Sequence, residues 1–440
     1  MRGLPSLTRF KNALIDAQKS DFFRRLFLFS LERSVRLSLA FVLGAAIARQ
    51  LGPHDFGLMA YAIAFVALVS VLCSFGVEAI VLRDLGLKIE KEREMVPSAV
   101  LLRLGTGVIG VMLCAGYVVA TEPTSSELRG LVMIQSMILL FGWGDVVDSW
   151  FQAGSKVWLG VGLRLSACLV GASLRFYLLV NHASTLAFIL AGVGEAALMA
   201  VVLWMGFLRN RSSIGALIIS RGVMADLLRR GWPLAISSVL VTSILQSDRI
   251  LLGNLASSDQ VGWYAASARF LDLSLVFPLL LSMSAQKLFV RETVGRQDAR
   301  SLLVKKVLGY GLWSSLFVGG ALCLTAKWTI SLVFGAKYGA ASEILAVHAW
   351  IVVFVMQVSL RSSILVAEGR QRTVLVLTLL TALVQWLSLP WAISRAGAMG
   401  AAYVTLASWI CSAWVFPLFF RTTRWFVLVA LRSLVFPFKL

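Results

Sequence analysis

The chain has 440 residues, 59% of them hydrophobic and 14% charged, with a formal net charge of +19. Those proportions exclude an ordinary soluble domain, and apolar runs of this length exclude the short alternating segments of a membrane barrel. The basic charge is spread over short segments beside apolar runs, a pattern that fits membrane topology and anionic headgroups and not nucleic acid.

In chain order, the first 33 residues form a basic amphipathic segment without a cleavage-site pattern, which predicts a cytoplasmic surface helix and no signal peptide. Apolar runs of roughly 20 residues, enough to cross a ~30 Å hydrocarbon core as helices, then recur to the end of the sequence. Six lie in the first half, at 34–51, 57–80, 97–119, 130–151, 158–180 and 185–208. Six more lie at 232–255, 261–285, 307–326, 343–366, 373–393 and 400–420. The expected fold is therefore an all-α integral membrane protein of about 12 transmembrane helices. Segment 209–231 is the longest polar stretch in mid-chain and divides a bundle at 34–208 from one at 232–420, with a tail at 421–440. Roughly seven in eight extramembrane Lys and Arg fall on the side of the N-terminus, which predicts that both termini are cytoplasmic. The five cysteines all fall inside spans, where they suggest neither a disulfide framework nor a metal site.

Two short patterns recur. "LGPHDFGLMAYA" after the first span parallels "LASSDQVGWYAA" after the seventh, and "FQAGSK" after the fourth parallels "VAEGRQR" after the tenth. Even numbers of spans per half make these parallel repeats about an axis along the membrane normal. By contrast, "GTGVIG" at Gly105–Gly110 matches a dinucleotide-binding glycine pattern but lies inside an apolar helix, with no preceding strand. Small residues there let neighbouring helices approach closely.

Charges inside the spans carry the functional information, since each costs a few kcal/mol at the bilayer centre unless paired or hydrated. Arg36, Arg103, Arg164 and Arg361 lie one to two turns from a predicted cytoplasmic end. Each can either snorkel to the headgroups or line a cavity, where the guanidinium fork suits phosphate oxygens. Asp248 and Arg249 lie deeper, roughly 10 Å from the outer end of span seven. Arg269 and Asp272 return to that depth on span eight and, at i,i+3, can pair along their own helix. The expectation is a neutral four-charge cluster in which Asp248 reaches Arg269, with Arg249 on a polar stripe facing a lumen. Asp145 and Asp148 add acids in span four, and His348 reads as a packed or lumen-facing polar group. No catalytic residue set, cofactor motif or metal-ligand spacing is evident.

The stretch "RGWPLAISSVLVTSILQSDRILLGNLASSDQVGWYAASARF", Arg230 to Phe270, resembles the bacterial polysaccharide-biosynthesis flippases, the Wzx-type family within the superfamily that holds the multidrug and toxin extruders. "ARQLGPHDFGLMAYAIA", "WFQAGSK", "LVFGAKYGAAS", "AEGRQR" and "GAMGAAYVTLAS" agree in order, so the resemblance covers nearly the full chain. The basic segment ahead of Arg33 departs from it. The resemblance implies a MATE-like fold in a bacterial inner membrane. It also implies a transporter, not an enzyme, that moves an undecaprenyl-pyrophosphate-linked oligosaccharide between leaflets by alternating access. The coupling ion would be H+ or Na+, and polysaccharide polymerase machinery would be a partner beside membrane lipids. On that reading Arg36, Arg103, Arg164, Arg249 and Arg361 would bind pyrophosphate or glycan. Asp248, Arg269, Asp272, Asp145 and Asp148 would form the charge cluster that orients helices or senses the ion. A small-molecule antiporter of the same fold is the first alternative; a polysaccharide polymerase or ligase fits less well, because the outside loops are short.

Overall fold

The computed structural model describes residues 7–87, 92–121, 126–154, 156–210, 216–274, 278, 281 and 297–435. Within them the regular structure is entirely helical. The first helix, α1 (Leu7–Ser74), is continuous from the basic segment into the first span. Residues 7–33, expected to form a cytoplasmic surface helix, are helical and run on into that span without a break. No Gly or Pro occurs between Leu7 and Leu43 to break the ladder, and residues 1–6 lie outside the described residues. α1 bends at Gly52, whose φ of 79° belongs to the left-handed region, and Pro53 follows at once. Glycine adopts that conformation without steric cost, so one apolar run becomes two antiparallel passes.

The remaining elements are α2 (Val77–Gly86), α3 (Glu92–Thr121), α4 (Ser126–Ser136), α5 (Gly144–Ala153), α6 (Val157–Val180), α7 (Thr185–Asn210) and α8 (Arg221–Leu255). They are followed by α9 (Ser258–Ser274), α10 (Gln297–Phe334), α11 (Ala341–Ala367), α12 (Gln371–Ile410) and α13 (Arg424–Val435). A 3-10 turn at Met137–Phe141 joins α4 to α5, so that the pair makes one pass. α12 is bent by Gly397 at φ 52° and continues through a π-bulge at Cys411–Val415, giving two passes.

Among the described residues nine helices are long and apolar enough to span a membrane. Two of these, 47 and 49 residues long, are the bent α1 and α12 and account for four of the expected spans. α9 supplies the start of the eighth span, whose expected end at 285 lies outside the described residues. Two boundaries differ clearly from the sequence reading. α8 starts at Arg221, within the stretch expected to link the halves, because Ser220 caps it by accepting the amide of Val223 at 3.4 Å. α10 runs on to Phe334, eight residues past the expected end.

The cores are arranged unevenly along the membrane normal. At the end of the molecule that carries the Gly52 bend, one continuous core draws on α1, α4, α7, α8, α9, α10, α11 and α12, with Phe56, Tyr61, Tyr264, Phe334 and Tyr338 almost fully buried. At the opposite end the cores are separate. One joins α2, α3, α5 and α7 with Leu227 of α8, and another joins α10, α11 and α13. Burial of apolar surface therefore fastens the two halves together chiefly at the Gly52 end.

The recurring motifs form this closure. A Cβ at Gly57 would lie 2.9 Å from the amide nitrogen of Gly262, and one at Gly262 would lie 3.0 Å from Cα of Pro53. The glycines that occupy equivalent places in the two repeats thus pack backbone to backbone against each other. The Tyr61 hydroxyl adds bonds to Tyr117 at 2.9 Å and Asn254 at 2.8 Å. Inside α3, Gly110 sits against Cys73 and Leu139, as the close-packing reading of "GTGVIG" requires.

Candidate functional site

Beneath the shared core the intramembrane charges fall into tiers. The first lies in the N-terminal half, nearer the end opposite Gly52. Arg164 of α6 is buried and holds Glu32 of α1 in a bidentate pair, one bond of which is 2.6 Å, while its remaining nitrogen reaches Asp148 of α5. Glu32 also lies 3.5 Å from Arg36, one turn on. Arg103 of α3 is equally buried and pairs with Glu78 of α2 at 2.8 Å and with Asp145 at 3.7 Å. Neither Arg103 nor Arg164 snorkels, because each finds carboxylates inside the protein. Local sequence makes the room: at Gly142 a Cβ would come within 2.6 Å of the Arg103 guanidinium. The 3-10 turn before it aims Asp145 and Asp148 at the two arginines.

The second tier lies deeper. Arg175 of α6 pairs with Glu195 of α7, and Gly171 leaves the space that Glu195 occupies. On the facing half, Arg249 lies 3.6 Å from Asp272 and donates to the Gln246 amide oxygen at 3.3 Å. Arg269 donates to the Ala40 carbonyl at 3.1 Å and lies over the Phe56 ring at 5.3 Å from its centroid. Its guanidinium occupies space beside Gly44 of α1 that any side chain there would fill. Arg269 is therefore a bridge between the halves.

The expected pairing of Asp248 with Arg269 is not the one observed. Asp248 is buried and accepts a hydrogen bond from the Tyr264 hydroxyl and a 2.8 Å bond from the Arg249 amide. Nor do Arg269 and Asp272 make the i,i+3 pair, since Asp272 turns to Arg249. The reason lies in facing directions: adjacent residues on a helix point apart, so Asp248 enters the core of its own half while Arg249 faces Asp272. Around Asp248 the polar core continues through Tyr264 to Thr405 at 3.2 Å, and Ser267 bonds His348 Nδ1 at 2.7 Å. His348 meets the Tyr264 ring edge-on at 4.7 Å. Gln385 of α12 donates to the Ile244 carbonyl at 2.8 Å and Ser247 at 3.3 Å, closing the same region.

Arg36 is 44% exposed, Asp145 72% and Asp272 59%. Asp145 is eight residues, ~12 Å, from the end of its pass, and Asp272 is farther still from the start of α9. At such depth in a bilayer an exposed carboxylate needs water or a cation beside it. Arg361 stands apart: it is buried in α11 and donates to the Ser412 carbonyl at 2.5 Å.

Sequence reasoning did not select Glu32, Glu78, Arg175, Glu195 or Tyr264 for the site. Glu32 falls one residue inside the basic segment and so counts as extramembrane, although its spacing of four from Arg36 is a usable signal. Among the described residues no group of three or more His, Cys, Asp or Glu side chains is placed to hold a metal ion.

This geometry is that of a known transporter fold. An inward-facing multidrug resistance MATE family transporter of the MOP superfamily superposes with a TM-score of 0.73 at 12% identity, over 91% of this chain and 95% of the other. The lipid II flippase MurJ in an inward closed conformation gives 0.72 at 15% identity, over 94% and 92%. An outward-facing MATE transporter gives 0.60 at 14% identity, over 92% and 96%. No curated protein matches the sequence significantly. The family model described as polysaccharide biosynthesis protein matches residues 26–289, more than half of the chain. A multi-pass helical membrane protein of the MATE-like transporter fold, the chain belongs to the polysaccharide biosynthesis protein family.

Proposed function

We propose that the chain is a flippase that carries an undecaprenyl-pyrophosphate-linked oligosaccharide from the cytoplasmic to the periplasmic leaflet of a bacterial inner membrane. Both termini are cytoplasmic on this reading, and the Gly52 end is periplasmic. Residues 34–208 and 232–420 are the bundles that rock against each other about the joined end. What supports the reading is the set of exposed charges inside the spans, between halves joined chiefly at one end, in a chain of a polysaccharide biosynthesis family.

Between those halves the pyrophosphate falls to Arg36 and Arg249, with Arg269 beside them. Arg36 is exposed and held by one long contact, and Arg249 is matched by a single carboxylate 3.6 Å away, so both can exchange partners for phosphate oxygens. Arg103 and Arg164 already have their donors on carboxylates and serve to hold Asp145 and Asp148 in place. Exposed Asp145 and Asp272 accept hydrogen bonds from sugar hydroxyls. Ion coupling by H+ or Na+ falls to Asp248 with Tyr264 and Thr405, a buried carboxylate whose charge governs how α8, α9 and α12 pack.

Deleting the gene tests the reading. Lipid-linked glycan should accumulate in the cytoplasmic leaflet while resistance to drugs and organic cations is unchanged. Loss of drug efflux with no glycan-lipid accumulation would assign the chain to the antiporters that share the fold.

A further inference from the structure

The helix α8 is shared between the two halves. It runs for 35 residues, about 52 Å, well beyond the ~30 Å of a hydrocarbon core. Its first turns pack on the N-terminal half. The Ile218 amide donates to the Arg93 carbonyl and the Ser220 amide to the Ser98 hydroxyl of α3, both at 2.9 Å, and Leu227 is fully buried in the core of α2, α3, α5 and α7. Past Pro233 the partners change. Leu240 and Ile244 cluster with Ala382 of α12, and Asp248 meets Tyr264 of α9.

Arg230 fastens the first arm of α8. It donates to Asp84 of α2 at 2.6 Å and lies 2.5 Å from Asp226, one turn back on its own helix. Asp84 is 1% exposed, whereas its neighbour Arg83 lies 4.0 Å away with its side chain open to solvent. Breaking the Arg230 contact leaves a buried carboxylate without a hydrogen-bonded cation, so α2 and this arm hold together as one piece.

The junction between the two arms is weaker. Pro233 has no N–H for the Arg229 carbonyl, which removes one helical bond. Trp232 and Pro233 are both exposed, so no core braces the junction. Against it lies the corner between α1 and α2, where Phe75 and Gly76 hold left-handed backbone at φ 47° and 64°. A bulky residue such as Phe75 keeps that conformation only when its surroundings impose it. Gly231 leaves no room for a side chain beside the Phe75 carbonyl, and a Cβ at Gly76 would lie 2.7 Å from that of Leu234. A strained corner and an interrupted helical turn thus face each other.

We propose that residues 221–230 travel with the N-terminal half, held by the Asp84–Arg230 pair, and that the halves pivot within α8 at Gly231–Pro233 against the Phe75–Gly76 corner. The moving boundary then lies at the far end of the polar stretch 209–231. The proposal rests on the reading that the halves rock, and is independent of the cargo.

The test measures distances between spin labels in the full chain by double electron–electron resonance. Labels are carried on an introduced unnatural amino acid, so that the five cysteines stay, in pairs drawn from Arg209 of α7, Arg229 of α8 and Arg372 of α12, all of them exposed. Wild type is compared with Gly57→Ala, in which the joined end should part. The distance from 209 to 372, between the halves, should shift; that from 229 to 372 should shift with it, while 209 to 229 keeps a single distribution. Arg230→Gln should free the arm and give 209 to 229 a second, longer distance, and Arg230→Lys should restore the single one. Should Arg230→Gln fail to fold, Asp84→Asn serves, since a buried amide needs no counter-charge. Pro233→Ala regains the helical bond and should shrink the shift from 229 to 372. A shift from 209 to 229 with 229 to 372 fixed would place the arm in the C-terminal half and overturn the pivot, and an unchanged 209 to 229 distribution in the Arg230 and Asp84 variants would overturn the clamp. A fixed distance from 209 to 372 would instead overturn the rocking itself, and the pivot with it.

Discussion

Glu32→Gln tests the electrostatic account of the N-terminal half most sharply. Glu32 and Arg164 are each 5% exposed, so solvent screening does little for either. The carboxylate accepts two bonds from the Arg164 fork, and Asp148 takes the third nitrogen. Removing one partner of a buried pair costs about 3–5 kcal/mol, mostly through the charge left behind. Because Asp148 remains, the lower end, about 3 kcal/mol, is expected. Urea or thermal denaturation of purified protein in one detergent gives the number. Replacing both Glu32 and Arg164 by Leu should cost less than Glu32→Gln alone, because no buried arginine is then left without its carboxylate, although Asp148 loses its cation. A Glu32→Gln protein as stable as wild type would refute the reasoning, since Arg164 would then be satisfied without its carboxylate.

Three further outcomes follow from the contacts. Gly57→Ala puts a methyl within 3 Å of the Ser258 carbonyl carbon and the Gly262 amide, so the joined end should part; spin labels at that end should report longer distances, at a packing cost of about 1–3 kcal/mol. Tyr264→Phe strips Asp248 of its hydroxyl donor and should cost about 1–3 kcal/mol of stability by the same denaturation assay, while Thr405→Val should cost less. Exchanging the charges of Asp248 and Arg269 should not restore function lost in Asp248→Ala, because Asp248 is bonded to Tyr264 and Arg269 to the Ala40 backbone; rescue in a complementation assay would contradict that geometry.

Much of the fold was legible because bilayer thickness sets run length, and run length survives any detail of packing. The bends at Gly52 and Gly397 fell where the expected spans are separated, and Gly-Pro at 52 and 53 announced the first of them. Charge partners were less legible. Intramembrane arginines stand out in a sequence, but their acids come from elements far away in the chain, as Glu32 and Arg164 are 132 residues apart. Asp248 shows a second limit: the group that meets it is uncharged, a tyrosine hydroxyl one helix on. The paired glycines Gly57 and Gly262 were visible as a repeat, but only the assembled halves make them neighbours.

The central claim is tested most directly by reconstituting the purified chain in liposomes carrying a fluorescent undecaprenyl-pyrophosphate oligosaccharide and measuring how fast the sugar crosses to the leaflet reached by a membrane-impermeant glycosidase. Wild-type protein should speed crossing well above protein-free liposomes. Arg36→Gln and Arg249→Gln should each slow it about tenfold, the equivalent of one charge-assisted hydrogen bond to phosphate. Crossing no faster than in empty liposomes, or unchanged in both variants, would contradict the account.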